Sequence, residues 1–252
     1  SWSDCYGKLA DLHRIALPGT NNELIVVSTL FDGDRPPTMT FTFLHTADWQ
    51  LGRPFRNFDA RTAAILEDER FNVIDRIADA ARACGAAHVL VAGDVFDAEI
   101  LPESTLRRPM DKLAAAATLS WHLLPGNHDP ARPGGLWHRL LARGLPDNVV
   151  AHVEPGVTVL QRGVALLAAP LKAKAQSADP TALFDTMETP AGVLRIGLAH
   201  GAIQSFGGGD DGESVALIDP TRARKARLAY LALGDWHGMT RVDARTWYAG
   251  TP

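Results

Sequence analysis

The sequence predicts an α/β fold, a two-sheet mixed β-sandwich flanked by helices. Two observations predict it. From Thr40 onward, short apolar runs alternate with longer stretches of helical periodicity, the pattern of strands joined by crossover helices. In the second half the short runs crowd together with little helix between them, which calls for a second sheet beside the first.

The elements follow in order. Residues 1–38 hold one β-like run, 23–31, and then the breaker cluster DGDRPP at 32–37. Met39 comes almost at once and opens the patterned region. The expectation is therefore an N-terminal extension, 1–38, outside the core, and a catalytic domain over 39–252. Thr40 to Leu44 reads as a strand. Asp59 is placed to N-cap a helix running to about Cys84, with Leu66, Val73, Ile77 and Ala81 at helical spacing and Gly85 as its C-terminal glycine. Residues 87–92 read as a buried strand, 103–117 as a helix broken or kinked at Pro109, and 119–124 as a third strand. Further strands are expected near 149–153, 157–160, 163–168, 193–199, 228–233 and 245–249.

Bulk properties narrow the class. A hydrophobic content of 46% and a charged content of 21% suit a globular domain, and a net charge of −4 gives no global basic footprint for nucleic acid. Cys5 and Cys84 are far apart and form no CxxC pair, so the expected setting is a reducing cytoplasm. No apolar run approaches the roughly 18 residues that span a bilayer, and no membrane role is expected.

Five polar motifs fall at expected strand ends: HTADWQ (45–50), GDVFD (93–97), GNHD (126–129), AHG (199–201) and GDWHG (234–238). Ligands of open α/β folds bind beyond the carboxyl ends of strands. Taken singly, each motif is most often an ordinary turn. Five in this order supply a complete ligand set for two divalent cations about 3.5–4 Å apart, which need a bridging carboxylate and mixed oxygen and nitrogen donors. Asp94 is the natural bridge. Asp48, Gln50, Asp94 and His237 would hold one ion, and Asp94, Asn127, His200 and Asp235 the other. Between them they would clamp a phosphate and activate a water. His128 is left to stabilise charge or protonate the leaving oxygen, with Asp129 as its orienting partner. Trp49 and Trp236 are expected to pack in the core around the metals. His13, His88, His122, His138 and His152 read as structural or exposed. Arg53 and Arg56, with Arg61, Phe55 and Phe58, could bracket a phosphate backbone, as could Arg107 and Arg108; solvated surface arginines are the alternative. The glycine-rich segment 205–212 is expected to border the cleft.

This series of motifs resembles the calcineurin-like metallophosphoesterase superfamily over about residues 41–252. The phrases HTADWQLG (45–52), AGDVFD (92–97) and LALGDWHG (231–238) are closest to its DNA-repair exonuclease branch, the SbcD-type nuclease subunit. The resemblance implies the metallophosphoesterase fold, DNA as substrate in exonuclease or endonuclease repair chemistry, and an SMC-like ATPase partner. Two positions depart from the family pattern. Gln50 stands where a histidine is usual, and Asp235 replaces the first histidine of the closing His-x-His. Both shift the donors toward oxygen, so the expected cofactors are two Mn2+ ions, with Mg2+ as the alternative. Gln50 either ligates through its oxygen or bonds to a ligand. Related nucleases continue past the point where this sequence stops, so the catalytic unit is expected to be minimal or truncated. Two other functions fit the motifs: a small-molecule phosphoesterase acting on cyclic nucleotides or phosphomonoesters, and a silent interaction module of the same fold.

Overall fold

A computed structural model describes residues 9–16, 23–30, 40–203 and 216–252. The first sheet has the strand order β1 (Leu9–Ala16), β2 (Glu23–Leu30), β3 (Thr40–Thr46), β4 (His88–Val91), β5 (Ser120–Leu123) and β6 (Val149–Ala151). β3 to β6 run parallel, while β1 and β2 add antiparallel at one edge. The second sheet brings together β7 (Gly156–Gln161), β8 (Val164–Ala169), β9 (Leu194–His200), β12 (Tyr230–Gly234), β13 (Thr240–Arg241) and β14 (Thr246–Tyr248). Its four central strands, β8, β9, β12 and β14, are parallel. A small parallel pair, β10 (Ala202–Ile203) with β11 (Leu217–Ile218), lies outside both sheets.

Alternation along the strands assigns each residue to a layer. On β3, Phe43 faces the second sheet and Leu44 faces the helices; on β4, Leu90 and then Val89 and Val91 divide in the same way. The inter-sheet core joins Ile25, Phe41, Phe43 and Leu90 to Leu166, Ile196, Leu198 and Tyr230. Each such side chain, fully buried, contributes about 1.5–3 kcal/mol. The outer face of the first sheet carries α1 (Ala60–Ala83), α2 (Glu103–Ala115) and α3 (Leu136–Arg143), the three crossovers of a parallel sheet. The outer face of the second carries a 3-10 turn, Pro180–Asp185, and α4 (Arg222–Lys225). This is the two-sheet sandwich flanked by helices that the sequence predicts.

The helix α1 starts where its cap directs. The Asp59 carboxylate accepts from the backbone N–H of Arg61 and Thr62 at 3.0 and 3.1 Å, and Gly85 takes the left-handed conformation (φ +71°) after Cys84. Val73, Ile77 and Ala81 are buried, and Leu66 is half-buried. α2 runs unbroken through Pro109 because its apolar face, Leu106, Pro109, Met110 and Leu113, is held against the sheet.

Three differences from expectation have physical causes. Segment 23–30, expected outside the core, pairs with β3 from Ile25↔His45 to Leu30↔Thr40, and Ile25 and Val27 are fully buried. The breaker cluster after it reads as a boundary in sequence, but hydrogen bonding to β3 carries the strand into the sheet. The boundary at 38/39 itself, Met39, Cys5 and the 205–212 segment lie outside the described residues. α3 went unread because only eight residues follow the Gly134–Gly135 breaker; burial of Leu136, Trp137 and Leu140 holds it. Strand β1 has no signal of its own in sequence and forms by pairing with β2. Among the described residues, no helix is long and apolar enough to cross a membrane.

Candidate metal centre

The loops after β3 and β4 continue the parallel ladder past the strand ends. The N–H of Asp48 donates to the Gly93 carbonyl at 3.1 Å, that of Gln50 to Asp94 at 2.9 Å, and that of Leu51 to Val95 at 3.0 Å. Asp48, Gln50 and Asp94 all take the left-handed backbone (φ 54°, 45° and 53°), and Asp235 has φ 108°. Such conformations cost about 1–3 kcal/mol each for residues other than glycine. Four of the seven expected ligands are in such conformations, so backbone strain is gathered at one place.

Asp48, Asp94 and His200 bring their ligand atoms within 4.8 Å of one another, and all three are buried. The Nδ1–H of His200 donates to the Ala92 carbonyl across the two sheets at 2.8 Å, so the Nε2 lone pair faces inward. There it meets Asp94 Oδ1 at 3.6 Å and Asp235 Oδ1 at 3.8 Å. One end of the Asn127 amide lies 3.0 Å from this Nε2 and 3.2 Å from both Asp94 oxygens. With its nitrogen inward, the amide donates to these acceptors; turned over, its oxygen joins them as a ligand. Backbone N–H groups steady the carboxylates: Asp235 donates to both oxygens of Asp48 at 3.1 and 3.2 Å, and His128 donates to Asp94 at 3.0 Å.

The electrostatics describe a place for positive charge. Burial lowers the His200 imidazole, but Asp94, Asp48 and Asp235 outweigh it and push the group up to about 9. Burial raises Asp48 well above the usual carboxylate range, with His200 opposing and Asp94 and Asp235 adding to the rise. Asp235 is raised by burial against the pull of His200. Three carboxylates and a lone pair turned on one point suit a divalent cation in place of a shared proton. Two glycines make room for this. A Cβ on Gly126 would stand 2.1 Å from Asp94 Oδ1, and one on Gly93 (φ +90°) would stand 2.1 Å from His200 Nδ1. The residues therefore fit a bound divalent ion.

The remaining expected residues divide. His237 lies on the open rim with Nε2 3.3 Å from Gln50 Nε2, and partial desolvation and the Arg53 charge lower its imidazole. The oxygen of Gln50 is taken by Arg53 Nη1 at 2.5 Å. His128 is 34% exposed, with Nδ1 bonded to the Asp97 carbonyl at 2.9 Å and Nε2 3.9 Å from Asp94 Oδ2. Asp129 is not its orienting partner. Its fully buried carboxylate accepts from the N–H of Phe96 at 3.0 Å and of Gly126 at 2.7 Å, tying two motif loops together, and burial followed by the Asp94 charge raises it. The orienting group is a backbone carbonyl, for which sequence carries no signal beyond the GDxxD spacing.

Trp49 is buried, edge-on to Trp121 at 6.0 Å, as expected; Trp236 is instead 45% exposed, lying over Gly238. His45, which opens the first motif, faces the inter-sheet core with Nδ1 3.0 Å from the Tyr230 hydroxyl, and burial pushes it down to about 3. Arg53 and Arg56 are exposed. Arg107 and Arg108 are paired with Asp111 and Asp68 at 3.6 and 2.6 Å. His13 lies outside the residues whose side chains are described, and His138 is exposed.

Comparison with curated proteins gives no match. The family model for the calcineurin-like phosphoesterases matches residues 41–223, the greater part of the chain. That span takes in the Asp48, Asp94, Asn127 and His200 loops, and with the convergent acceptors at their strand ends it makes this chain a member of the calcineurin-like phosphoesterase family, a metal-dependent hydrolase of phosphoester bonds.

Proposed function

We propose that the protein is a two-cation phosphodiesterase acting on DNA, with Mn2+ as its preferred metal. The observation that carries the reading is the inward convergence of Asp48, Asp94 and His200, with the Asn127 amide against them. Asp94, Asn127, His200 and Asp235 would hold one ion, and Asp48, Asp94 and His237 the other. Bound divalent ions would offset phosphate charge and activate a water for in-line attack. His128, as the imidazolium, would give its Nε2 proton to the leaving oxygen and be left neutral, with Nδ1–H fixed on the Asp97 carbonyl and Nε2 toward the cluster and the solvent. Asp129 acts through the loops it joins.

DNA is favoured over a small ester by the rim. Arg53 is bonded to Gln50 at the site, Trp236 is exposed between Asp235 and His237, and Arg56 and Phe58 (53% exposed) add cationic and aromatic surface on the loop that follows the first motif. Likeness of the first and last motifs to the exonuclease branch supports the same substrate and, with it, an SMC-like ATPase partner. The test is turnover with Mn2+ on p-nitrophenyl phosphate, bis-p-nitrophenyl phosphate and end-labelled DNA. Hydrolysis of the diester and of DNA is expected. Activity on the monoester alone would overturn the reading in favour of a small-molecule phosphoesterase, and metal binding without any hydrolysis would point to an interaction module. Arg56→Ala should weaken DNA binding with little dependence on base sequence and lower the salt slope by about one.

A further inference from the structure

The side chain of Gln50 is committed at both ends. It is 1% exposed and held by a left-handed backbone whose N–H is bonded to the Asp94 carbonyl. A carboxamide ligates a hard cation through its oxygen, and here that oxygen accepts from Arg53 Nη1 at 2.5 Å. Its nitrogen stands 3.3 Å from Nε2 of His237, close enough to place a proton on the imidazole lone pair. The other side of the cluster differs. There Asp94 and His200 converge with the Asn127 amide against them; Asp94 accepts from the backbone N–H of His128, and His200 donates to the Ala92 carbonyl. A guanidinium fixed beside a divalent ion repels it with an energy that falls only as 1/r. The two halves of the cluster are therefore unequal.

We propose that Gln50 is a positioning residue and not a ligand: it ties Arg53 to His237, so that one divalent ion binds tightly among Asp94, Asn127, His200 and Asp235, and a second, held by Asp48, Asp94 and His237, binds more weakly. The Arg53 guanidinium supplies the missing positive charge on that side and faces the phosphate of the substrate. This rests on the two-cation reading above and assigns unequal roles to its two positions.

The test is Mn2+ titration of chelator-stripped protein, read by calorimetry and by the electron paramagnetic resonance signal of unbound Mn2+. Wild type should take up about one ion tightly and a second about 10- to 100-fold more weakly. Arg53→Ala should tighten the second ion by about tenfold or more and leave the first unchanged. Gln50→Ala should weaken neither. Because Arg53 is exposed, its variant tests the proposal even where the buried Gln50→Ala fails to fold. Two equal ions in wild type, a weaker second ion in Arg53→Ala, or an ion lost in Gln50→Ala would each overturn it. Failure of the underlying reading looks different: wild type and Asp94→Asn would then bind Mn2+ alike.

Discussion

His200 and His122 are both buried, burial lowers both, and yet the two are displaced in opposite directions. His122 is the middle of a stack on adjacent strands, its ring centroid 5.3 Å from those of His88 and His152 and its nitrogens 3.1 Å from theirs. Burial, with the neighbouring imidazoles His152 and His88, pushes it down to about 3, and burial takes His152 down to about 4. The middle ring of such a chain of N–H···N bonds donates once and accepts once, so His122 must be a neutral imidazole. His200 faces carboxylates in place of imidazoles and is pushed up to about 9. Burial alone says little about function. The partners decide whether a buried imidazole belongs to a neutral structural stack or to a site for positive charge.

The largest effect should come from Asp94→Asn, which removes the carboxylate contributing most to the rise of His200. Mn2+ binding should be lost and phosphodiesterase turnover should fall more than about a hundredfold, beyond the range of a residue that only orients a ligand. Without metal, imidazole titration by nuclear magnetic resonance should move His200 down from about 9, toward the behaviour of His122. A His200 that stays near its wild-type value would break the comparison.

Gly126→Ala acts on the same half by crowding, with its Cβ 2.1 Å from Asp94 Oδ1 and 2.5 Å from the Asp94 nitrogen. It should cost about 1–3 kcal/mol in chemical denaturation and weaken Mn2+ binding while leaving the stack's response to acid intact.

The two assemblies should also give opposite pH limbs. In chelator-treated protein, His200 has a folded pKa above its ordinary 6.5, so its contribution to stability is complete below about 6.5 and is lost as pH rises through about 9. Saturating Mn2+ should abolish this alkaline loss, because the ion takes the place of the proton. His122 and His152 have folded values below 6.5, so their contribution is present above 6.5 and is lost as pH falls toward about 4 and then about 3. His122→Leu should shrink the acid limb alone. At pH 7 it should cost about 1–3 kcal/mol, since His88 and His152 lose a partner. An unchanged acid limb in thermal melts would show that the stack does not carry it.

The smallest effect expected is that of Asn148→Ala. Its Nδ2 donates to the carbonyls of Leu113, Ala116 and Leu119 at 2.8–3.2 Å, away from either histidine group. A loss of about 1 kcal/mol with both pH limbs in place would confirm that the limbs report the two assemblies and not general destabilisation.

The motifs were legible because metal ligands are few in kind and strand ends are marked by Gly, Asp and Asn. The α1 helix was legible because Asp59, Gly85 and the spacing of Val73, Ile77 and Ala81 act within a few residues of one another. The place of β2 was not, since pairing with β1 and β3 puts it in the sheet while the breaker cluster before β3 reads in sequence as a boundary. Nor was the exposure of Trp236: its position between Asp235 and His237 says nothing about which way the loop turns the indole.

The sequence alone determined the alternating elements, the five motifs and the chemical nature of the cluster, all of which are local properties of composition and spacing. Only the tertiary structure decided the partners. It gave Asp129 to the loops and His128 to the Asp97 carbonyl, set Gln50 between Arg53 and His237, and divided the buried imidazoles into a charged group and a neutral one. The physical reason is that a hydrogen bond or a pKa depends on atoms within a few ångströms, and here those atoms come from strands as far apart in the chain as Ala92 and His200.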